Sequence, residues 1–396
     1  MDLKGDVAAI QQFTSPINLS NSGYTAFNTS VGLFNFTASY EGVFRPKKSD
    51  DYTLIIEGDD GYRVYVNDKK VIDYWGVHPS AKREYTLRAT AGQDYKIKIE
   101  YMQAGGEALL KFDLGVYRQI PAETVVNKVK EADVVIFVGG ISPDFEGEEK
   151  YNIEGYGFSG GDRTTIELPQ VQRDILRALK KAGKKVIFVN CSGSAVALEP
   201  EMDSCDAILQ AWYPGQAGGL AVADILFGDF NPSGKLPVTF YKNTNQLPDF
   251  EDYSMKGRTY RYMTESPLFP FGYGLSYTTF DISKGRLNKR SISVGESVNL
   301  KVNVKNTGRF NGAEVIQVYV RKIDDEEGPV KSLRAFRRVP LKIGESRTVS
   351  IELSPSTFEF FDPSTNTMCI TSGKYEITYG NSSNVQLENK LSITIH

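Results

Sequence analysis

The sequence predicts a multidomain protein: an antiparallel β-sandwich, then an α/β region with a mostly parallel sheet covered by helices, then a second β-sandwich. Short segments of alternating polar and apolar residues fill residues 36–115 and return after residue 286. Between them, apolar runs alternate with segments of helical periodicity. The chain of 396 residues is long enough for two or three domains with sizeable cores. We therefore expect domains at residues 1–115, 116–282 and 283–396.

The first sandwich is predicted by short alternating segments that are separated by residues suited to tight turns. Glycine, asparagine or aspartate stands between the segments at residues 58–61, 67–68, 91–92 and 105–106. Many short strands at this spacing are typical of an antiparallel sandwich. The predicted strands span residues 52–58, 62–68, 70–76, 83–89, 94–102 and 107–115.

The periodicity changes after residue 115, and this change predicts the α/β region. Strands that are apolar throughout and alternate with helices indicate a parallel sheet covered on both faces. Lys180 and Lys181 fall in the last turn of the longest helical segment, and Gly183 is suited to end it. The predicted strands span residues 133–140, 184–192 and 206–214, and the predicted helices span residues 125–132, 168–183 and 218–229.

The second sandwich is predicted by the return of alternation after residue 286. Glycine-glutamate pairs at 295–296 and 344–345 are suited to turns between strands. About a hundred residues of this kind are typical of an immunoglobulin-like or fibronectin-like sandwich. The predicted strands span residues 297–306, 313–322, 346–353 and 373–380.

Composition excludes several kinds of chemistry. The chain has two histidines, His78 and His396, which removes most Ser-His-Asp, Cys-His and polyhistidine metal chemistry. Its three cysteines, Cys191, Cys205 and Cys369, are far apart and odd in number, so we expect neither a disulfide framework nor a CxxC metal site. The net charge is −3, from 46 basic and 49 acidic residues, and argues against nucleic acid as a partner. We also expect no membrane span and no signal peptide, because no run of 18 apolar residues occurs and the first residues lack an apolar core.

The long loop after the strand at 133–140 is the strongest candidate for a site. Ligands of open parallel sheets collect beyond the carboxyl ends of the strands. The loop covers 24 residues, 141–164, whereas an ordinary connection of this kind takes about 2–6. It carries Glu146, Glu148 and Glu149 among glycines, and neighbouring carboxylates can favour the protonated form of one of them, a proton donor near neutral pH. A solvated acidic loop without chemistry is the alternative.

Other candidates in the α/β region have simpler interpretations. The glycine pair that ends the strand at 133–140 lacks the third glycine of a dinucleotide fingerprint and leads into a loop, which argues against nucleotide binding. Cys191 ends the next strand, and no histidine can be placed beside it, so we interpret it as a buried structural cysteine. Ser192 and Ser194 lack a base for the same reason.

The first sandwich offers two candidate binding features. The Asp-Asp-Gly sequence at 59–61 suits a turn between strands, which we favour, or a hard cation such as Ca²⁺. Trp75 and Tyr74 suit either stacking on a sugar or an aromatic plug in the core, and His78 is interpreted as a surface loop residue. If this domain contacts a carbohydrate, Trp75 and His78 are the predicted contacts, and no metal site is predicted.

Four segments carry a resemblance to a known family. Residues 212–240 and 267–280 resemble signatures of the C-terminal α/β domain of glycoside hydrolase family 3. Residues 331–346 resemble the fibronectin type III domain that follows it in many members. Residues 41–75 resemble the protective-antigen-like β-sandwich that is inserted into the α/β domain in a subset of the family. The domains that these segments indicate together cover nearly the whole chain.

The resemblance implies retaining hydrolysis of β-linked glucose or xylose from non-reducing ends, without a cofactor. This reaction needs an aspartate nucleophile and a general acid/base carboxyl group. The family places the acid/base on the long loop, where Glu146 matches best, Glu148 is the second choice and Glu149 the third. Asp162 and Arg163 resemble a frequent pair on the same loop, and we expect them to fix its shape.

The resemblance also implies a partner. The family carries its nucleophile on a (β/α)₈ barrel of about 250 residues, which nothing in this chain provides, so we expect the barrel in cis or in trans. The chain alone is then expected to be inactive on oligosaccharides. The Glu-Gly-Glu-Glu sequence at 146–149 resembles the xylosidase-like branch of the family more than the fungal glucosidase branch, which implies xylose over glucose, and the family implies a periplasmic or extracellular location. The alternative function is a non-catalytic carbohydrate-binding or scaffolding fragment.

Overall fold

The computed structural model describes residue 3 and residues 5–21, 26–118, 120–143, 145–146, 157–160, 162–385 and 389–396. The described residues form two compact units, one up to residue 121 and one from residue 122 onward. None of the helices in this described part is long and apolar enough to cross a membrane.

The first unit is a sandwich of two antiparallel sheets, with strand orders β1-β8-β3-β6 and β2-β7-β4-β5. The strands are β1 Asn18–Ser20, β2 Phe36–Phe44, β3 Asp50–Asp59, β4 Tyr62–Val66, β5 Lys69–Tyr74, β6 Ala81–Ala89, β7 Tyr95–Gln103 and β8 Leu109–Gly115. The predicted sandwich and all its predicted strands are confirmed. The sequence interpretation did not include β2, because half-buried and exposed residues alternate along it without a fully buried position.

Alternation along the strands of the first unit produces its core. Leu54, Ile56 and Val64 are completely buried between the sheets, as are the rings of Tyr62 and Tyr101. Buried tyrosine hydroxyls need partners. The Tyr62 hydroxyl donates to a backbone carbonyl at 2.7 Å, and the Tyr101 hydroxyl lies 2.7 Å from a side-chain oxygen. The two rings therefore fill the core without an unpaired polar atom at their tips.

The Asp-Asp-Gly sequence forms the turn between β3 and β4. The Asp60 carboxylate is 2% exposed, and its two oxygens accept backbone N–H groups from Ala104 at 2.7 Å and His78 at 3.2 Å. Asp60 therefore holds three loops of the sandwich together. Within the described residues no cluster of three or more His, Cys, Asp or Glu side chains is suited to a metal ion. The hydrogen bonds of the Asp60 carboxylate support the interpretation of this sequence as a turn over its interpretation as a cation site.

Asp59 is the titratable group from which we predict a pH effect on stability. Burial, with the charge of Asp60 next, raises the pKa of Asp59 from its ordinary 3.8 to about 6. The folded protein therefore binds this proton more tightly than the unfolded chain, and the stabilisation is lost as the pH rises through 6. For a fully buried group, a pKa shift of this size changes the free energy of unfolding by about 3 kcal/mol. Because Asp59 is partly exposed, we expect its contribution to be about 1 kcal/mol.

Asp59→Asn should therefore raise the free energy of unfolding at pH 8 by about 1 kcal/mol, and the gain should shrink as the pH falls from 6 to 4. Chemical unfolding of both proteins at pH 4 and pH 8 measures this. Asp68→Asn, in the next turn, is the control and should change stability by under about 0.5 kcal/mol at either pH. If Asp59→Asn changed the free energy of unfolding equally at both pH values, the raised pKa of Asp59 would not be the cause of the change.

The α/β part of the second unit contains a parallel sheet of order β13-β12-β9, with β12 in the centre. Its strands are β9 Val134–Gly140, β10 Phe158–Ser159, β11 Asp162–Arg163, β12 Lys185–Cys191 and β13 Ala207–Gln210. Its helices are α1 Ala122–Lys128, α2 Gln170–Lys181, α3 Glu201–Ser204, α4 Gly218–Phe227 and α5 Thr259–Tyr262. The short strands β10 and β11 pair as a hairpin within the long loop.

Helix α2 covers the sheet with an apolar face. Leu176 and Leu179 are completely buried on it, and Gly183, with a φ of 76°, ends the helix as predicted. The third parallel strand is shorter than predicted and ends at Gln210. Trp212, just after it, adopts a positive φ of 58°, which is incompatible with a continuing strand.

The remainder of the second unit is the predicted second sandwich. Strands β14, β15 and β20 pair with β17, and a five-stranded sheet has the order β16-β24-β23-β18-β19. The strands are β14 Phe280–Ile282, β15 Arg286–Leu287, β16 Ser291–Ile292, β17 Val298–Asn306, β18 Gly312–Lys322, β19 Ser332–Leu341, β20 Ser346–Leu353, β21 Phe360–Asp362, β22 Thr367–Cys369, β23 Gly373–Gly380 and β24 Lys390–Ile395. All four predicted strands are confirmed.

Buried polar contacts join this sandwich to the α/β part. Lys235 of the α/β part lies 2.8 Å from Glu314 of β18, and both side chains are largely buried. The Gln317 amide donates to the Gly272 carbonyl at 3.0 Å. Because an unpaired charge in this setting would be costly, the ion pair fixes how the two parts pack.

Candidate active site

The long loop leaves the sheet at Gly140, the last residue of β9. Gly140 has a φ of 125°, and a Cβ atom there would lie 2.0 Å from the Cys191 carbonyl oxygen on β12. The Gln172 side chain of α2 forms hydrogen bonds with both backbone polar groups of Gly140. Its amide NH₂ donates to the Gly140 carbonyl at 2.7 Å, and its amide oxygen accepts the Gly140 N–H at 2.8 Å. Ile141 N–H then donates to the Cys191 carbonyl at 2.9 Å. The start of the loop is therefore fixed by backbone contacts that exclude a side chain.

Glu146 lies in the first turn of this loop. Its backbone N–H donates to the Ser142 carbonyl at 3.1 Å. The carboxylate, 23% exposed, accepts the Ser194 hydroxyl at 3.2 Å and an Arg163 N–H at 3.4 Å on Oε1. Its other oxygen lies 3.3 Å from the Tyr213 hydroxyl. Three side chains therefore hold a carboxylate that still reaches solvent.

These partners come from separate parts of the chain. Ser194 follows β12, Tyr213 follows β13, and Arg163 ends the hairpin of the long loop. The carboxyl ends of parallel strands meet at one edge of a sheet, which is where ligands of such sheets bind. The sheet therefore brings the three loops together around Glu146.

Two partners of Glu146, Arg163 and Tyr213, have shifted pKa values. Burial lowers the pKa of Arg163, and the opposing charge of Glu146 acts to raise it. Burial, with the charge of Glu146 next, raises the pKa of Tyr213, so its hydroxyl keeps its proton at neutral pH. The Tyr213 hydroxyl can donate its hydrogen either to the Glu146 carboxylate, 3.3 Å away, or to the Ile141 carbonyl oxygen, 2.8 Å away. Among the described residues, the buried Nη2 of Arg163 has no hydrogen-bond partner.

The other predicted loop residues have different outcomes. Glu148 and Glu149 lie outside the described residues. Arg163 bonds the Thr165 carbonyl at 3.2 Å and the Ser194 hydroxyl at 2.8 Å, which ties down the end of the loop, while Asp162 is exposed.

Cys191 is half-buried instead of buried. Burial raises the pKa of its thiol, which therefore stays protonated at neutral pH and is a poor nucleophile. The contribution of Cys191 to the site is its backbone carbonyl, which accepts the Ile141 N–H.

Trp75 and His78 lie in the loop after β5 of the first unit, and both are half-buried. The Arg63 guanidinium lies over the Trp75 ring, 4.3 Å from its centre. The His78 ring packs on Tyr74 with centres 4.0 Å apart, and its Nδ1 lies 2.8 Å from the Pro79 carbonyl oxygen. The loop therefore presents packed aromatic rings at a partly exposed position.

Sequence reasoning missed two partners of Glu146. Ser194 has no base beside it in the sequence, and in the structure its hydroxyl holds a carboxylate instead of attacking a substrate. Tyr213 lies in the segment 212–240 that carries the family resemblance, and the sequence predicts no separate role for it. A usable signal was present, because both residues come within three residues of the end of a parallel strand.

Gly140→Ala tests the dependence of the site on the end of β9. The added methyl would clash with the Cys191 carbonyl at a φ that favours glycine, so we expect a loss of about 2–4 kcal/mol in the free energy of unfolding. Chemical unfolding measures this. Gly234→Ala, where a Cβ has nothing within 4 Å, is the matched control and should change stability by less than about 1 kcal/mol. If the two variants were equally stable, the close approach of Gly140 on β9 to the Cys191 carbonyl on β12 would not require glycine.

Comparison with known proteins agrees with this architecture. Residues 27–277 match the glycosyl hydrolase family 3 C-terminal domain, and residues 314–383 match a fibronectin type III-like domain. A xylan 1,4-β-xylosidase from Xylanibacter ruminicola is 47% identical over 399 residues, which cover 100% of this chain and 45% of the relative. A periplasmic β-glucosidase from Salmonella typhimurium is 39% identical over 62% of this chain and 32% of its own length.

A solved structure is similar as well. The crystal structure of a β-glucosidase from Kluyveromyces marxianus superposes with a TM-score of 0.72 at 26% identity, over 96% of this chain and 48% of that one. The chain thus spans less than half the length of each of these relatives. It belongs to glycosyl hydrolase family 3, with that family's C-terminal domain followed by a fibronectin type III-like domain.

Proposed function

We propose that this chain supplies the general acid/base, Glu146, to a retaining, exo-acting β-glycosidase that removes terminal β-linked xylose or glucose. The observation that carries the proposal is the Glu146 carboxylate, which Arg163, Ser194 and Tyr213 hold beyond the carboxyl ends of the parallel strands in a member of this family. Glu148 is the alternative acid/base on the same loop.

Two carboxyl groups divide the reaction between them. In the first step Glu146 gives its proton to the glycosidic oxygen while an aspartate bonds to the anomeric carbon and the leaving group departs. In the second step the ionised Glu146 takes a proton from water, whose oxygen bonds to the anomeric carbon and releases the aspartate. Arg163 Nη1 lies 3.4 Å from the Glu146 carboxylate oxygen Oε1, next to the group that acts as the base in the second step.

The aspartate belongs to a (β/α)₈ barrel, in cis or in trans. The chain matches 45% of the Xylanibacter ruminicola xylosidase, and the rest of a protein of that length has room for a barrel of about 250 residues. Xylose is the preferred substrate of the proposal, because the Xylanibacter ruminicola xylosidase is 47% identical over the whole of this chain, whereas the Kluyveromyces marxianus β-glucosidase is 26% identical over 96% of it. The name of the periplasmic β-glucosidase from Salmonella typhimurium supports a periplasmic or extracellular location.

The acid/base role is tested by Glu146→Gln. The chain alone should not hydrolyse aryl β-xylosides, and mixing it with the part of the Xylanibacter ruminicola xylosidase outside the aligned residues should give activity. Glu146→Gln should then lower kcat/KM by about 10²–10⁴-fold for a poor leaving group and by less for dinitrophenol, which needs no proton. Azide should restore turnover and give a β-xylosyl azide.

Glu148→Gln, two residues away, is the matched control and should keep kcat/KM within a few-fold. If Glu148→Gln instead shows the loss and the azide rescue, the role belongs to Glu148. Full activity of the unmixed chain would contradict the need for a barrel.

We also propose that Trp75 and His78 contact longer substrates. Trp75 lies half-buried beneath Arg63 in the loop after β5, and an aromatic face next to a guanidinium suits the apolar face and hydroxyls of a sugar ring. His78 follows it in the same loop.

Trp75→Ala should raise KM for xylotetraose by about three- to tenfold in the active mixture, while KM for an aryl β-xyloside stays unchanged. Val77→Ala, an exposed position in the same loop, is the control and should leave both values unchanged. Equal effects of Trp75→Ala on the long and the short substrate would rule out a role in binding longer chains.

A further inference from the structure

Helix α5 of the α/β part contacts the first residues of β19 in the second sandwich. Strand β19 is the last strand of the five-stranded sheet. The Val330 N–H, two residues before β19, donates to the Arg261 carbonyl of α5 at 2.7 Å. The Leu333 N–H of β19 donates to the Tyr260 hydroxyl of α5 at 3.2 Å. These two hydrogen bonds hold α5 against the start of β19.

Each of the two elements brings an arginine to this contact, Arg261 from α5 and Arg334 from β19. Both side chains are half-buried. The Arg334 guanidinium lies over the Phe360 ring, 4.7 Å from its centre, and Nη2 of Arg334 donates to the Glu359 carbonyl. The Arg261 guanidinium lies 5.5 Å from the centre of the Tyr262 ring. The two positive charges therefore contact aromatic rings and a backbone carbonyl.

Buried polar atoms without partners are concentrated at this contact. The described residues contain seven buried side-chain nitrogen or oxygen atoms without a hydrogen-bond partner, and four of them lie in α5, the end of β18 and the start of β19. These four are Nε of Arg261, Arg321 and Arg334 and the Ser332 hydroxyl. Because buried polar groups are nearly always hydrogen-bonded, four donors without partners in one region indicate a missing acceptor.

Neither Arg261 nor Arg334 is neutralised by a carboxylate. Every arginine ion pair among the described residues belongs to another side chain. Glu376 of the nearby strand β23 pairs with Lys390. Burial, with the charge of Arg261 next, lowers the pKa of Arg334, and the opposing charge of Glu359 is the weakest of the contributions. Two like charges that are partly removed from water cost free energy unless an anion accompanies them.

We propose that Arg261 and Arg334 form a binding site for a small, doubly charged oxyanion of the phosphate or sulfate type. A guanidinium presents its N–H donors in a planar fork that matches the oxygens of such an anion. The Nε–H of each arginine would donate to an oxygen of the anion, and two negative charges would balance the two positive ones. The inference does not rest on the proposed function, since neither arginine contacts Glu146.

A bound anion would also strengthen the packing of α5 on β19. Because α5 belongs to the α/β part and β19 to the second sandwich, the anion would connect the two parts in addition to the pair of Lys235 and Glu314. A ligand that binds only the folded protein stabilises it by mass action. The thermal stability of the chain should therefore depend on the concentration of the anion.

The test is calorimetric titration of the whole chain with sodium phosphate at pH 7.5, with sodium chloride keeping the ionic strength constant. We expect one phosphate per chain. Sulfate should compete for the same site, and acetate, with a single charge, should bind at least about tenfold more weakly. Phosphate at about twenty times its Kd should raise the midpoint temperature of unfolding by about 2–5 °C.

Arg261→Gln should weaken phosphate binding by at least about tenfold and remove most of the thermal shift, because a charged donor is lost. Arg334→Lys keeps the positive charge but loses the Nε–H, and should also weaken binding. Arg337→Gln is the matched control, since Arg337 is exposed on the same strand, and it should leave the affinity unchanged. Far-UV circular dichroism checks that each variant is folded.

Three results would overturn the proposal. If phosphate does not bind above the chloride background, water alone occupies the contact between α5 and β19. If both Arg261→Gln and Arg334→Lys fold and bind phosphate as the unchanged chain does, the anion binds elsewhere. If Arg337→Gln weakens binding as much as Arg261→Gln does, binding follows the overall surface charge. None of these results bears on the acid/base role of Glu146.

Discussion

The contact between the ends of β9 and β12 is the constraint on which the candidate site depends. At Gly140 the backbone passes so close to the Cys191 carbonyl that no side chain fits, and the Gln172 amide satisfies both polar groups of the Gly140 peptide. This fixes the direction in which the loop leaves the sheet, six residues before Glu146. Within the described part of the loop, its anchored first turn and the hairpin that carries Arg163 help to define where the carboxylate lies.

The charged side chains that this fold removes from solvent are either fully or only partly hydrogen-bonded. Asp60 and the pair of Lys235 and Glu314 are nearly fully buried and fully engaged, so they hold loops and strands in place. Glu146 and Arg163 are only partly engaged, because the carboxylate reaches solvent and one guanidinium nitrogen lacks a partner among the described residues. Complete pairing is what a structural ion pair requires. Incomplete pairing leaves capacity to interact with a further molecule, as expected of a chemical role.

The α/β part has the composition of a buried core but is not covered as one. Its strand β9 and helix α4 carry apolar residues on sides that the described residues leave exposed, whereas most of the long strands of both sandwiches have one side in a core. Val138 and Phe227, 64% and 79% exposed, show the largest such exposure on β9 and α4.

The sequence by itself determined the order of the three regions, nearly all of the long strands and the loop that bears Glu146, because alternation, apolar runs and turn residues are local signals. It did not find β19 or β2, whose exposure pattern lacks buried positions, and it did not find two of the partners of Glu146, Ser194 and Tyr213. Only the tertiary structure decided that Ser194 and Tyr213 meet Glu146, since parallel pairing brings loops 48 and 67 residues away to one edge of the sheet. It also decided that one face of that sheet stays open, because the face on which helices lie follows from the order of the strands in space.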